Sequence, residues 1–143
     1  MTAEILKESL PDPVEYHAPA SYARFVADLK ASARAEGEPV ISPRLFASAL
    51  RMDIQTLASR AHVHRSTITR GQGAEKLQSF LRDAIRVLGV AADINGNLPD
   101  ALFWFRNEPI PPFDYQTPEQ LVSAGRTDDL VRYVQSLNAG GAG

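Results

Sequence analysis

Residues 53–70 read DIQTLASRAHVHRSTITR, and their spacing predicts two short helices joined by a tight turn. The first helix is expected over about Ile54 to Ala61, with the small Ala58 where a second helix crosses it. Leu57, Val63 and Ile68 supply buried aliphatics before the turn, after it and in the second helix. A turn of this kind commonly places glycine at positive φ; His62 holds that position, and histidine tolerates positive φ better than most residues. The second helix, starting at His64 or Arg65, exposes Arg65, Ser66, Thr67, Thr69 and Arg70. In a DNA-binding helix-turn-helix such residues meet base edges or phosphates in the major groove. Arginine addresses guanine bidentately, and hydroxyls reach phosphates or bases. Arg44, Arg60 and Lys76 are candidate phosphate contacts. The competing reading is an ordinary helical hairpin with a solvated basic face.

Working outward, Tyr22, Phe25, Val26, Leu29 and Ala33 fall on one face of a helix that Gly37 and Pro39 stop. Ser42 followed by Pro43 is a helix cap with proline at the first helical position. A longer helix is expected from Ala74 to about Leu88, with Leu77, Phe80, Leu81, Ala84, Ile85 and Leu88 as its stripe and Gly89 as its stop. Asn95-Gly96-Asn97 is a turn and the expected boundary between modules. A short helix over about Leu98 to Arg106 follows, then an extended proline-rich link. Thr117-Pro118-Glu119-Gln120 is a capping box. Thr127 is expected to cap a last helix, with Asp128 and Asp129 facing its positive end, and Asn138 and Gly140 to end it. The expected organisation is an arm and helix over 1–41, a helix-turn-helix domain over 42–94 and a smaller helical module over 95–143, all-α throughout.

The 143 residues carry a net charge of −2 that conceals an asymmetry. Residues 1–41 hold four basic and seven acidic side chains, giving −3; residues 42–88 hold eight and three, giving +5; residues 89–143 hold three and seven, giving −4. A basic middle between acidic flanks places the phosphate-seeking surface in the middle. Cysteine is absent, which excludes disulfides, thiolate metal sites and a cysteine nucleophile and fits a cytoplasmic location. No apolar run of about 18 residues exists, so no membrane span is expected, and the N-terminus lacks a signal-peptide pattern. His62 and His64 lack a third ligand, so no metal is expected. Gly71-Gln72-Gly73 has no strand before it, so it reads as a helix end. Helix capping accounts for Asp128 and Asp129. No cofactor, catalytic group or enzyme activity is expected.

Residues 101–137 read ALFWFRNEPIPPFDYQTPEQLVSAGRTDDLVRYVQSL. Large aromatics are common interface anchors, and Phe103, Trp104, Phe105, Phe113 and Tyr115 crowd this stretch. The other reading gives Phe103, Trp104 and Phe113 to the module's own core. Beside them, Arg106, Asn107 and Glu108 form a polar corner before Pro109.

This block, with a Trp104-bearing helix, FRNEPIP, the Thr-Pro-Glu-Gln-Leu start at 117–121, Gly125 and a final helix with Val131, Val134 and Leu137, resembles the toxin-binding domain of Xre/MbcA/ParS-type antitoxins. With the upstream helix-turn-helix the resemblance covers about residues 42–140. It implies a type II antitoxin that inhibits a RES-domain, NAD-depleting toxin and represses its own operon by binding operator DNA, as a homodimer within a larger complex. NAD would be the partner's substrate, not a ligand of this chain. The expected toxin-binding residues are Trp104, Arg106, Asn107, Glu108, Gly140, Gly141 and Gly143. The tail Asn138 to Gly143, with no large or charged side chain, is expected to thread a narrow cleft and help plug the toxin. The alternative function is a stand-alone helix-turn-helix regulator with a C-terminal dimerisation domain; a third reading is an interaction protein that no longer binds DNA.

Overall fold

A computed structural model describes residues 16–37, 40–70 and 74–142. Among them the chain is all-α, with eight α-helices: α1 Tyr22–Glu36, α2 Pro43–Ala49, α3 Ile54–Ala61, α4 Arg65–Thr69, α5 Glu75–Asn95, α6 Leu98–Asn107, α7 Pro118–Ser123 and α8 Thr127–Ala142. A single 3-10 turn, Pro111–Phe113, sits between α6 and α7. None of these helices is long and apolar enough to cross a membrane. Gly71 to Gly73 lie outside the described residues.

The central element is α5. It packs against α1, α2, α3, α6, α7 and α8. Its expected stripe is buried, and Leu77, Leu81 and Leu88 have no solvent-exposed surface. Full burial of such a side chain stabilises by about 1.5–3 kcal/mol, so this row contributes strongly to cohesion. Phe46 of α2 meets Phe80 edge-on, with ring centroids 6.3 Å apart. Gln78 is buried among these apolar groups without an unpaired polar atom. Its amide Nε2 donates to the Ile41 carbonyl at 2.9 Å, and its Oε1 accepts from the Ile41 N–H at 3.1 Å.

Local chemistry placed most helix starts. Ser42, Asp53 and Thr117 accept from the backbone N–H three residues on, and the Thr117–Gln120 capping box is closed. Asn97 caps α6 in the same way. The expected Thr127 cap is not formed. Thr127 is the first helical residue, and its buried hydroxyl has no hydrogen-bond partner.

One helix end in this region differs from expectation. Gly89 does not stop α5, which continues to Asn95 and ends at Gly96 with φ +88°. Burial of Ala91 and Ala92 carries the stripe beyond Gly89. Gly89 serves close approach instead. The Tyr22 ring crosses there so tightly that a Cβ at residue 89 would lie 2.8 Å from Tyr22 Cζ, and the Tyr22 hydroxyl donates to the Ile85 carbonyl at 2.8 Å. The core also runs without a break through the turn at residues 95–97. Leu98, Ala101, Leu102 and Phe105 of α6 belong to the same hydrophobic cluster as Leu81 and Leu88.

This crowding gives Gly89→Ala a context-dependent sign. Alanine favours helix by about 1 kcal/mol over glycine, but overpacking costs about 1–3 kcal/mol. Urea denaturation is expected to show Gly89→Ala destabilising the natural chain and stabilising a Tyr22→Ala background.

Candidate nucleic-acid and partner interface

The α3–α4 pair is built from the backbone outward. Asp53 Oδ1 accepts from the Thr56 N–H at 2.7 Å, which starts α3. Its end is closed by two bonds: Val63 N–H to the Ala58 carbonyl at 3.0 Å and His62 N–H to the Ser59 carbonyl at 3.2 Å. This closure needs a left-handed residue between them, and His62 adopts φ 59°, ψ 41°. Leu57, Ala58 and Ile68 are buried, and Val63 packs against the core. His64 then caps α4, its Nδ1 accepting from the Ser66 N–H at 3.1 Å.

Arg65, Thr69 and Arg70 are exposed, while Ser66 and Thr67 are half-buried. The Ser66 hydroxyl bonds back to His64 Nδ1 at 2.9 Å. Arg65 and Arg70 are exposed, and neither makes a side-chain hydrogen bond to a described residue. Arg44 joins them from α2, its Nη2 donating to the Thr69 carbonyl at 3.4 Å. Lys76 is exposed at the start of α5. Arg60, expected as a phosphate contact, has a different use. Its Nε donates to Glu119 Oε2 at 2.6 Å.

Glu119 is 1% exposed, and its other oxygen accepts from Arg106 Nε at 2.7 Å. Arg106 Nη1 also donates to the carbonyls of Leu50 and Arg51, each at 3.2 Å. Arg106 is thus absorbed largely inside the fold, not held out at the polar corner where the sequence placed it. Of that corner, Asn107 and Glu108 are exposed, with the Asn107 amide donating to the Phe103 carbonyl at 3.0 Å. A second link lies nearby. His62 Nε2 is 2.8 Å from the Ser123 carbonyl, and the Ser123 hydroxyl donates to the Arg60 carbonyl at 2.7 Å. Neither the buried Glu119 nor Ser123 stood out in the sequence. Both occupy ordinary positions in a short capped helix.

The aromatics divide unevenly. Phe105 is fully buried and Trp104 is half-buried against the core, whereas Phe103 is 70% exposed. Phe113 stacks edge-on with Tyr133 at 5.7 Å, and the Arg126 guanidinium lies 5.0 Å from its ring centroid. Tyr115 is 67% exposed. Phe103, Asn107, Leu102, Leu50 and Arg51 line a cleft of about 630 Å³.

The C-terminal tail differs from expectation. α8 does not end at Asn138 but continues through Gly140 and Gly141 to Ala142. The side chains of 140–142 and all of Gly143 lie outside the described residues. Gln135 to Ala139 are exposed at every position. That is more than one helical turn, so this part of α8 projects from the core with no face covered.

No family model, curated protein or solved structure matches the chain.

Asp53 has its carboxyl held below the ordinary 3.8, first by the Thr56 N–H, then by the Thr56 hydroxyl, with Arg106 and Arg65 contributing. A lowered folded-state value means stabilisation that is complete above 3.8 and lost as pH falls through the lowered value. Asp53→Asn keeps the cap but not the charge. The natural chain is therefore expected to be the more stable at neutral pH and to lose that advantage on acidification, read as urea midpoints across pH. Glu119→Gln leaves two guanidiniums facing a neutral amide. Breaking a buried pair costs about 3–5 kcal/mol; because both arginines are partly exposed, a loss of about 3 kcal/mol, at the low end of that range, is expected from the same measurement.

Proposed function

We propose that this chain is a DNA-binding antitoxin of the Xre type. In this reading α4 binds operator DNA and represses the chain's own operon. The outer face of α6 and the projecting end of α8 grip a RES-domain, NAD-depleting toxin. The observation that carries the DNA half is the left-handed His62 turn, which delivers Arg65, Thr69 and Arg70 to solvent beside Arg44. The partner half is supported by the resemblance of residues 101–137 to the toxin-binding domain and by the exposure of Phe103 at 70%.

The length of α4 bears on assembly. Five residues at 1.5 Å rise span about 7.5 Å, room for only about two base pairs at 3.4 Å each. Few bases can be read by one copy, so a homodimer reading two half-sites supplies the rest of the specificity.

Co-expression with the enzyme encoded next to this chain tests the reading. The chain is expected to restore growth and cellular NAD and to shift its own promoter duplex. Arg65→Ala with Arg70→Ala should abolish the promoter shift and make the slope of log K against log salt shallower by about one for every phosphate no longer neutralised. Toxin inhibition should survive. Phe103→Ala with Asn107→Ala should do the reverse. Promoter binding without protection of the cell would overturn the antitoxin half and leave a stand-alone regulator.

A further inference from the structure

We infer that the imidazole of His62 is a positioning tether: it fixes the angle at which α4 is presented to DNA by anchoring the α3–α4 turn to α7. This rests on the DNA-binding reading and deepens it. The position calls for a left-handed residue, which glycine adopts without strain. Histidine at φ 59° meets the backbone requirement less well than glycine does, so the side chain must be judged by what it touches. It touches α7. A carbonyl oxygen only accepts, so the bond of 2.8 Å to Ser123 is donated by Nε2.

The same short helix holds the end of α3 twice more. Ser123 Oγ donates to the Arg60 carbonyl at 2.7 Å, and Glu119 receives the Arg60 guanidinium at 2.6 Å. Three bonds from α7 thus converge on residues 60–62. Arg65, the first exposed cation of α4, follows three residues later. Direct reading of bases depends on the orientation of that helix, whereas contacts to the phosphate backbone carry no sequence information. A loosened turn therefore harms selective binding and spares non-selective binding.

The test uses the full chain and the duplex that it enriches from a random-sequence pool, with a scrambled duplex as control. His62→Gly removes the tether while relieving the backbone. It is expected to bind the selected duplex about three- to tenfold more weakly, the range of one hydrogen bond, to bind the scrambled duplex as before, and to melt at the same or a higher temperature. His62→Gln, whose amide nitrogen extends about as far as Nε2, should restore selective binding; the shorter His62→Asn should not. Ser123→Ala should weaken selective binding in the same direction as His62→Gly. Unchanged affinity of His62→Gly for the selected duplex overturns the tether, as does an equal weakening on both duplexes. If His62→Gly melts lower, the Gln and Asn variants decide: equal selective binding by the two overturns the tether, and recovery by Gln alone upholds it. If the natural chain enriches no sequence, the DNA-binding reading itself falls and takes the tether with it, an outcome seen before any variant is compared.

Discussion

The Glu119 carboxylate lies 1% exposed between two guanidiniums, one from α3 and one from α6. Removing such a charge from water costs several kcal/mol, and the attraction of its partners only roughly offsets that cost. The cluster is therefore better understood as a constraint than as glue. A carboxylate with one arginine on each oxygen is satisfied in one arrangement of α3, α6 and α7. Any sliding of α7 leaves an uncompensated charge inside the protein. Arg106 extends the constraint to the end of α2 through the Leu50 and Arg51 carbonyls. Elements far apart in sequence are thereby held in one register around α5.

That register joins the two surfaces the sequence had assigned to separate modules. α5 runs behind both, and the apolar cluster passes from Phe25 to Val134 without interruption. The basic face of α4 and the outer face of α6 consequently share their supports. Arg60, at the end of α3, bonds to the same carboxylate as Arg106, which lines the cleft beside Phe103. A substitution at Arg106 cannot be read as a surface change alone, because it also releases the end of α2.

The features legible in the sequence were local ones. Ser42-Pro43 and the Thr117–Gln120 box depend on atoms within a few residues, and His62 had to be left-handed for two helices to meet. The α5 stripe was legible because its period is set by helix geometry. What escaped was decided by distant neighbours. Gly89 reads as a stop until the Tyr22 ring is placed against it. Phe103 and Phe105 are indistinguishable as letters, yet one is exposed and the other buried, because Phe105 shares the face of α6 that packs Leu98, Ala101 and Leu102 against the core and Phe103 does not. Glu119 looks like any first-turn acid interacting with a helix dipole until Arg60 and Arg106 arrive from elsewhere. Arg60 read as a phosphate ligand for the same reason.

Two non-glycine residues in left-handed turns share a further property. Arg51 and His62, with φ 57° and 59°, end α2 and α3 respectively. Glycine is the usual occupant of such ends, and another residue costs about 1 kcal/mol there. Gly125, which ends α7, follows that rule. At the two exceptions, the turn is held from the C-terminal part of the chain: the Arg51 carbonyl by Arg106 and the His62 ring by the Ser123 carbonyl. One hydrogen bond contributes about 0.5–1.5 kcal/mol net, so strain and restraint nearly cancel. The exchange leaves stability almost unchanged and alters geometry. Two turns that glycine would leave hinged are instead set by α6 and α7, which makes the angle of the basic helix a property of the whole chain.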